Sequence, residues 1–255
     1  MKKYLLPLLM IVLLASCEKP VPADGIMHNA VKDYDGNIYD AVRIGEQVWM
    51  KQNLKTTHYA DGTPIPMAAR LEDDSYEVSY TEPLCYYPDA LPANVNLFGM
   101  LYNWMAVLGN DQPSESNPSG VQGVCPNGWH LPSDAEWHQL TDYVSSRDEY
   151  VGGDDPVNIA QALADDGMYW EACGTEYAPG AGGSANNATG FSILPAGGCY
   201  QGIFLSFHSY TNFWSSTDYN NTAAYTGPET GFGTPYVNHT VNDKTNGLSV
   251  RCVKD

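Results

Sequence analysis

Positive charge is what this chain has least of. Its 255 residues carry 12 Lys and Arg against 30 Asp and Glu, a formal net charge of −18. Phosphate backbones are bound through clustered basic side chains, so no nucleic-acid partner is expected, and an anionic lipid surface is disfavoured on the same ground. The patterns that mark metal and catalytic chemistry are also missing. No Cys-x-x-Cys pair or His/Cys group stands at zinc spacing. Asp33-Tyr34-Asp35-Gly36-Asn37 resembles the start of a calcium loop, but its glycine is fourth where an EF-hand needs it sixth. Gly182-Gly183-Ser184-Ala185 lacks the nucleophile-elbow pattern, and His130 and His138 flank Glu136 without the four-residue step that puts two histidines on one helix face. No catalytic residue, metal or cofactor is therefore expected. No repeat of fixed period appears either.

A long apolar run occurs only at the N-terminus. Residues 5–14 are too short to span a bilayer as a mature helix, and they follow Met1-Lys2-Lys3 and precede Ala15-Ser16-Cys17. This pattern looks like a bacterial lipoprotein signal peptide: residues 1–16 would be removed and Cys17 acylated, giving a partner in the membrane lipid. The implied location is the cell envelope, with the outer membrane expected and its face open. The mature chain then has 10 basic and 30 acidic residues, a net −20, which suits a solvated surface. Residues 17–30, with Pro20 and Pro22, read as a lipidated cysteine and short tether, and residues 31–255 as one domain.

Within that domain, residues 125–137 are the most locally determined. Pro126-Asn127-Gly128 suits a turn, and Trp129-His130-Leu131 a short strand. Ser133 and Glu136 form a capping box, and Trp137, Leu140 and Val144 recur at helical spacing, so a helix begins there with a buried aromatic anchor. Upstream, a turn at Asp35-Gly36 and strands over 37–43 and 47–53 are expected. Residues 63–96 read as a long irregular loop, 98–108 as a buried helix and 157–164 as a second short helix. Strands are expected over 191–194, 203–207, 213–215 and 248–253. Early strands, middle helices and late strands indicate an α+β domain.

Taken in order, several segments resemble the Fibrobacter succinogenes major paralogous domain family. They are Asp35-Gly36-Asn37, Val42-Arg43-Ile44-Gly45-Glu46-Gln47-Val48-Trp49-Met50, Tyr102-Asn103-Trp104, the whole of residues 125–137, Leu194-Pro195-Ala196-Gly197-Gly198, Phe213-Trp214-Ser215-Ser216 and Ser249-Val250-Arg251-Cys252-Val253-Lys254. Trp129, His130, Ser133, Glu136, Trp137, Trp214 and Arg251 are its structural signature residues here. The resemblance implies a C-type lectin-like, formylglycine-generating-enzyme-like fold, with small mostly antiparallel sheets, two or three short helices and long irregular loops. It also implies a disulfide between Cys125 and Cys252. Of the remaining thiols, Cys173 with Cys199 is the simplest second pair, and Cys85 has no assigned partner. Neither the calcium-and-sugar motifs of C-type lectins nor the redox cysteines of the formylglycine enzymes have a match, so neither activity carries over.

Tyrosine outnumbers phenylalanine 18 to 6, a balance suited to half-wet positions where a ring stacks and its hydroxyl hydrogen-bonds. Tyr76, Tyr80, Tyr86 and Tyr87 lie in the acidic irregular loop, and Tyr200, Tyr210, Tyr219, Tyr225 and Tyr236 among later Gly/Asn/Thr connections. They are the binding candidates. The expectation is a non-catalytic recognition or adhesion domain for glycan or protein ligands, with its exposed aromatics on one face. The alternatives are a structural subunit of an envelope assembly, joined through an odd thiol or apolar patch, and a carbohydrate-active enzyme.

Overall fold

Asp33 organises the first hairpin. Its carboxylate accepts from the Asn37 N–H (2.9 Å), the Asn37 side-chain amide (2.8 Å) and the Tyr39 hydroxyl (2.5 Å). Gly36 closes the turn at φ +90°, a conformation that suits a residue without Cβ. The turn joins β1 (Ile26–Lys32) to β2 (Ile38–Ile44), and a second one at Gly45 leads to β3 (Gln47–Met50). A computed structural model describes residues 25–165, 169–181 and 186–255. The signal-peptide residues and Cys17 lie outside the described residues. Residues 26–30, expected in the tether, are instead part of β1, where Ile26 opposes Val42 and Met27 opposes Ala41 and packs on the core.

The chain continues through β4 (Cys85–Tyr86), α1 (Val95–Phe98), β5 (Leu101–Tyr102), α2 (Trp104–Leu108), β6 (Trp129–His130), α3 (Asp134–Ser145) and α4 (Ala160–Leu163). It then makes β7 (Gly198–Tyr200), β8 (Ile203–Leu205), β9 (Tyr210–Thr211), β10 (Trp214–Asp218), β11 (Ala223–Gly231), β12 (Asn238–Asp243) and β13 (Val253–Lys254). A five-stranded antiparallel sheet has the order β1-β2-β3-β13-β6. A second antiparallel sheet has the order β10-β11-β12, with β9 also on β11, and β4-β5 and β7-β8 are separate hairpins. The class is α+β with small antiparallel sheets. Because β13 lies between β3 and β6, strands from both ends of the folded region share one sheet.

Several expected elements change, among them the strand over 248–253, which shrinks to β13 at Val253–Lys254, with Leu248 and Ser249 making isolated bridges to Tyr102 and Phe213. Residues 98–108 do not form one helix: Gly99 sits at φ +81°, and a Cβ there would meet the Asn53 Cβ at 2.5 Å and the Leu54 carbonyl oxygen at 2.8 Å. The chain breaks at this close approach, pairs through β5 with β4, and restarts as α2 with the Asn103 side chain accepting from the Ala106 N–H. Residues 191–194 make a single bridge, Ile193 to Ala164, rather than a strand. Conversely, β11 and β12 were not foreseen. The β11 sequence has no apolar alternation, and its pairing with β12, Thr226 opposite Thr240 among others, supplies what the side chains do not announce.

The core around α3 is aromatic. Trp49 and Trp137 stack with centroids 4.4 Å apart, and Phe191 meets both edge-on. Arg251 is fully buried beside them, its guanidinium 4.6 Å above the Phe191 ring. It donates to Asn53 Oδ1 (2.9 Å) and to the carbonyls of Met50, Phe191 and Ser192. Burial pulls its pKa down to about 9, which leaves it cationic at neutral pH. A disulfide joins Cys125 to Cys252, closing 127 residues of sequence in the neighbouring cluster. Cys173 and Cys199 are not joined: Cys199 is buried in β7 and packs in a third cluster, while the half-buried Cys173 thiol points to the carbonyls of Thr175 and Pro179. The suggested second pair is therefore wrong. Each thiol has its own packing: Cys199 in a buried cluster, Cys173 against its own loop.

Candidate functional site

The capping box forms as the residues require. Ser133 Oγ accepts from the Glu136 N–H (3.2 Å), and Glu136 Oε2 accepts from the Ser133 N–H (3.0 Å) and the Ser119 N–H (3.0 Å). The other Glu136 oxygen lies 2.7 Å from His130 Nε2, and His130 Nδ1 lies 2.7 Å from Asp255 Oδ1. Burial pushes the His130 pKa down, but the two carboxylates outweigh it and hold the imidazolium form above its ordinary 6.5. Trp129 is buried in β6, and Trp214 buries its ring and donates from Nε1 to the Tyr102 carbonyl at 2.7 Å. The signature residues therefore build the frame and do not line the groove beside α3.

With Trp137, Leu140 and Val144 turned inward, α3 presents its opposite face to an open groove of about 740 Å³. Asp134, His138, Gln139 and Asp142 supply one wall. Glu115 and Asn117, from the connection between α2 and β6, supply a second, and Thr217 of β10 and Tyr225 of β11 the third. The Asn117 side-chain amide donates to Gln139 Oε1 (2.7 Å), tying the first two walls together, and Thr217 Oγ1 accepts from the Asp134 N–H at 3.0 Å.

Asp134 and His138, both in the groove lining, converge with His239 of β12. The Asp134 carboxylate lies 3.6 Å from His138 Nε2 and 3.5 Å from His239 Nδ1. The two imidazole rings stack with centroids 3.8 Å apart and planes 11° from parallel. His239 reaches this position from β12 because Gly227 on β11 leaves room: a Cβ there would lie 2.6 Å from His239 Nδ1. Sequence reasoning missed the cluster. It looked for two histidines four apart, whereas Asp134 and His138 make that step and the third member is distant in sequence.

The tyrosine candidates do not share one exposed face. Tyr80, Tyr219 and Tyr236 are exposed; Tyr76, Tyr87, Tyr200, Tyr210 and Tyr225 are half-buried, and Tyr86 is buried. Tyr76 and Tyr86 pack edge-on to Phe204, and Tyr80 donates to Asp243 at 2.6 Å. Only Tyr225 lines the groove, with Tyr219 edge-on to it at 5.4 Å. Most of these rings fix loops onto small sheets. Of the free thiols, Cys85 is buried, and burial, with Asp35 nearby, pushes it up to about 12, whereas Cys173 is half-buried.

Residues 42–254 match the Fibrobacter succinogenes major domain, and the chain belongs to that family. No curated protein and no solved structure matches the chain.

Proposed function

We propose that this Fibrobacter succinogenes major domain is a non-catalytic recognition or adhesion module of the bacterial cell envelope. In this proposal it has the C-type lectin-like variant of the α+β class, is held to the outer membrane by a lipid on Cys17, and takes a glycan in the groove beside α3. The observation that carries the proposal is the groove's lining. Carboxylates, the amides of Asn117 and Gln139, a threonine hydroxyl and the half-buried Tyr225 ring sit together in an open depression. Polyhydroxyl ligands are held by such convergent polar groups with a ring to stack on. Hydrolysis would need two carboxylates flanking the scissile bond, whereas in this proposal the groove's carboxylates act as hydrogen-bond acceptors.

The test is a combined glycan and peptide array probed with the full chain carrying Cys17→Ser, alongside Tyr225→Ala and Gln139→Ala. The expected result is glycan binding that both substitutions weaken. Glycan binding untouched by either would displace the site from the groove, and peptide binding alone would replace the ligand class.

A further inference from the structure

We propose that Asp134, His138 and His239 form a binding site for a divalent transition cation of the zinc class. This goes beyond glycan recognition and does not depend on it.

Among the described residues, these three side chains form a group whose potential ligand atoms all lie within 4.8 Å of one another. Tetrahedral zinc with bonds of about 2.0–2.1 Å places its ligand atoms roughly 3.3 Å apart. Asp134 Oδ2 stands 3.6 Å from His138 Nε2 and Oδ1 stands 3.5 Å from His239 Nδ1, so each histidine already faces one oxygen of the carboxylate, and a small closure of the three side chains brings them to that spacing. Their stacked rings must splay for both lone pairs to converge, and His138, with half its side chain exposed, is free to turn.

The hydrogen-bond network supplies a second observation. Thr141 Oγ1 lies 3.2 Å from the carbonyls of Trp137 and His138, to which its hydroxyl proton goes, and 3.2 Å from His239 Nε2. With the hydroxyl proton on a helix carbonyl, the oxygen is left to accept from Nε2–H, and in that tautomer Nδ1 turns its lone pair to Asp134. The partners stand within ion-pair distance, yet Asp134 Oδ1 and His239 Nδ1 are both buried and neither makes a hydrogen bond. Two facing acceptors repel, and unpartnered buried polar atoms are costly. A cation between them satisfies both. The Thr141 contact then has the form of the outer partner that fixes the tautomer of a metal-bound histidine.

Ligand chemistry selects the ion. Two imidazoles and one carboxylate suit zinc and its neighbours, whereas calcium takes six to eight oxygens. Three protein ligands would leave a fourth position for water or a further ligand.

The test is calorimetric titration of Zn²⁺ into the chelator-stripped full chain carrying Cys17→Ser and Cys173→Ser, so that no accessible thiol competes. The expected result is one ion per chain. Thr141→Val should weaken binding about 10–100-fold, and His239→Ala and His138→Ala by at least the upper end of that range. His138→Ala removes a half-exposed side chain and leaves the fold intact, so it decides the matter should His239→Ala unfold. Absence of zinc binding, or zinc binding that the histidine substitutions leave unchanged, overturns the site. Calcium binding lost in the same variants overturns the ligand class.

Discussion

His130 accounts for a titration that a surface histidine would not produce. Its two nitrogens face Glu136 and Asp255, both acceptors, so the doubly protonated ring is the form that fits. With its pKa above 6.5 in the folded chain, it stabilises the fold fully below about 6.5 and loses that contribution as pH rises through the folded value. Denaturation at about pH 6 and about pH 9 should therefore show His130→Gln costing more at the lower pH; an equal cost at both would remove His130 from the linkage. Arg251 works by geometry as well as charge. Arg251→Lys keeps a cation but cannot reach Asn53 and three carbonyls with one planar fork, and leaving acceptors unpaired should cost about 2–3 kcal/mol in urea denaturation. The sequence marks Arg251 only as part of a family motif. Its burial between Phe191 and Phe213 depends on two segments far away in the chain.

At the scale of elements, α3 serves two purposes because a helix has two faces. Trp137, Leu140 and Val144 enter the core, and Asp134, His138 and Gln139 enter the groove. The start of the helix was legible because a capping box is a contact between residues three apart. Ser133→Ala removes one half of it and should cost about 1 kcal/mol, within 0.5–2, in a denaturant titration. A cost near zero would mean that Glu136, held also by Ser119 and His130, needs no help from the serine. The groove face of the same helix was not legible. Asp134 and His138 are ordinary exposed-face residues until β12 brings His239 against them, and that placement depends on the absence of a Cβ at Gly227.

Across the whole molecule, the Cys125–Cys252 bridge ties the segment before β6 to the segment before β13 in the shared sheet. Closing so long a loop contributes up to about 4–5 kcal/mol in the chain-entropy model, so reduction should lower unfolding stability by as much as that. Cys85 and Cys199 should stay unreactive until the fold opens, since burial pushes both thiols up to about 12. A thiol-labelling time course under native conditions would check this: the expected product carries label on Cys173 first. Local chemistry in the chain was enough to set the acidic balance, the turn at Asp35-Gly36, the capped helix and the α+β class, because turns, caps and periodicity act between near neighbours. The break at Gly99, the pairing of β11 with β12, the dispersal of the tyrosines over several surfaces and the meeting of Asp134, His138 and His239 arise only on folding. Each depends on backbone approach or packing between segments far apart in sequence, where no residue alone carries the signal.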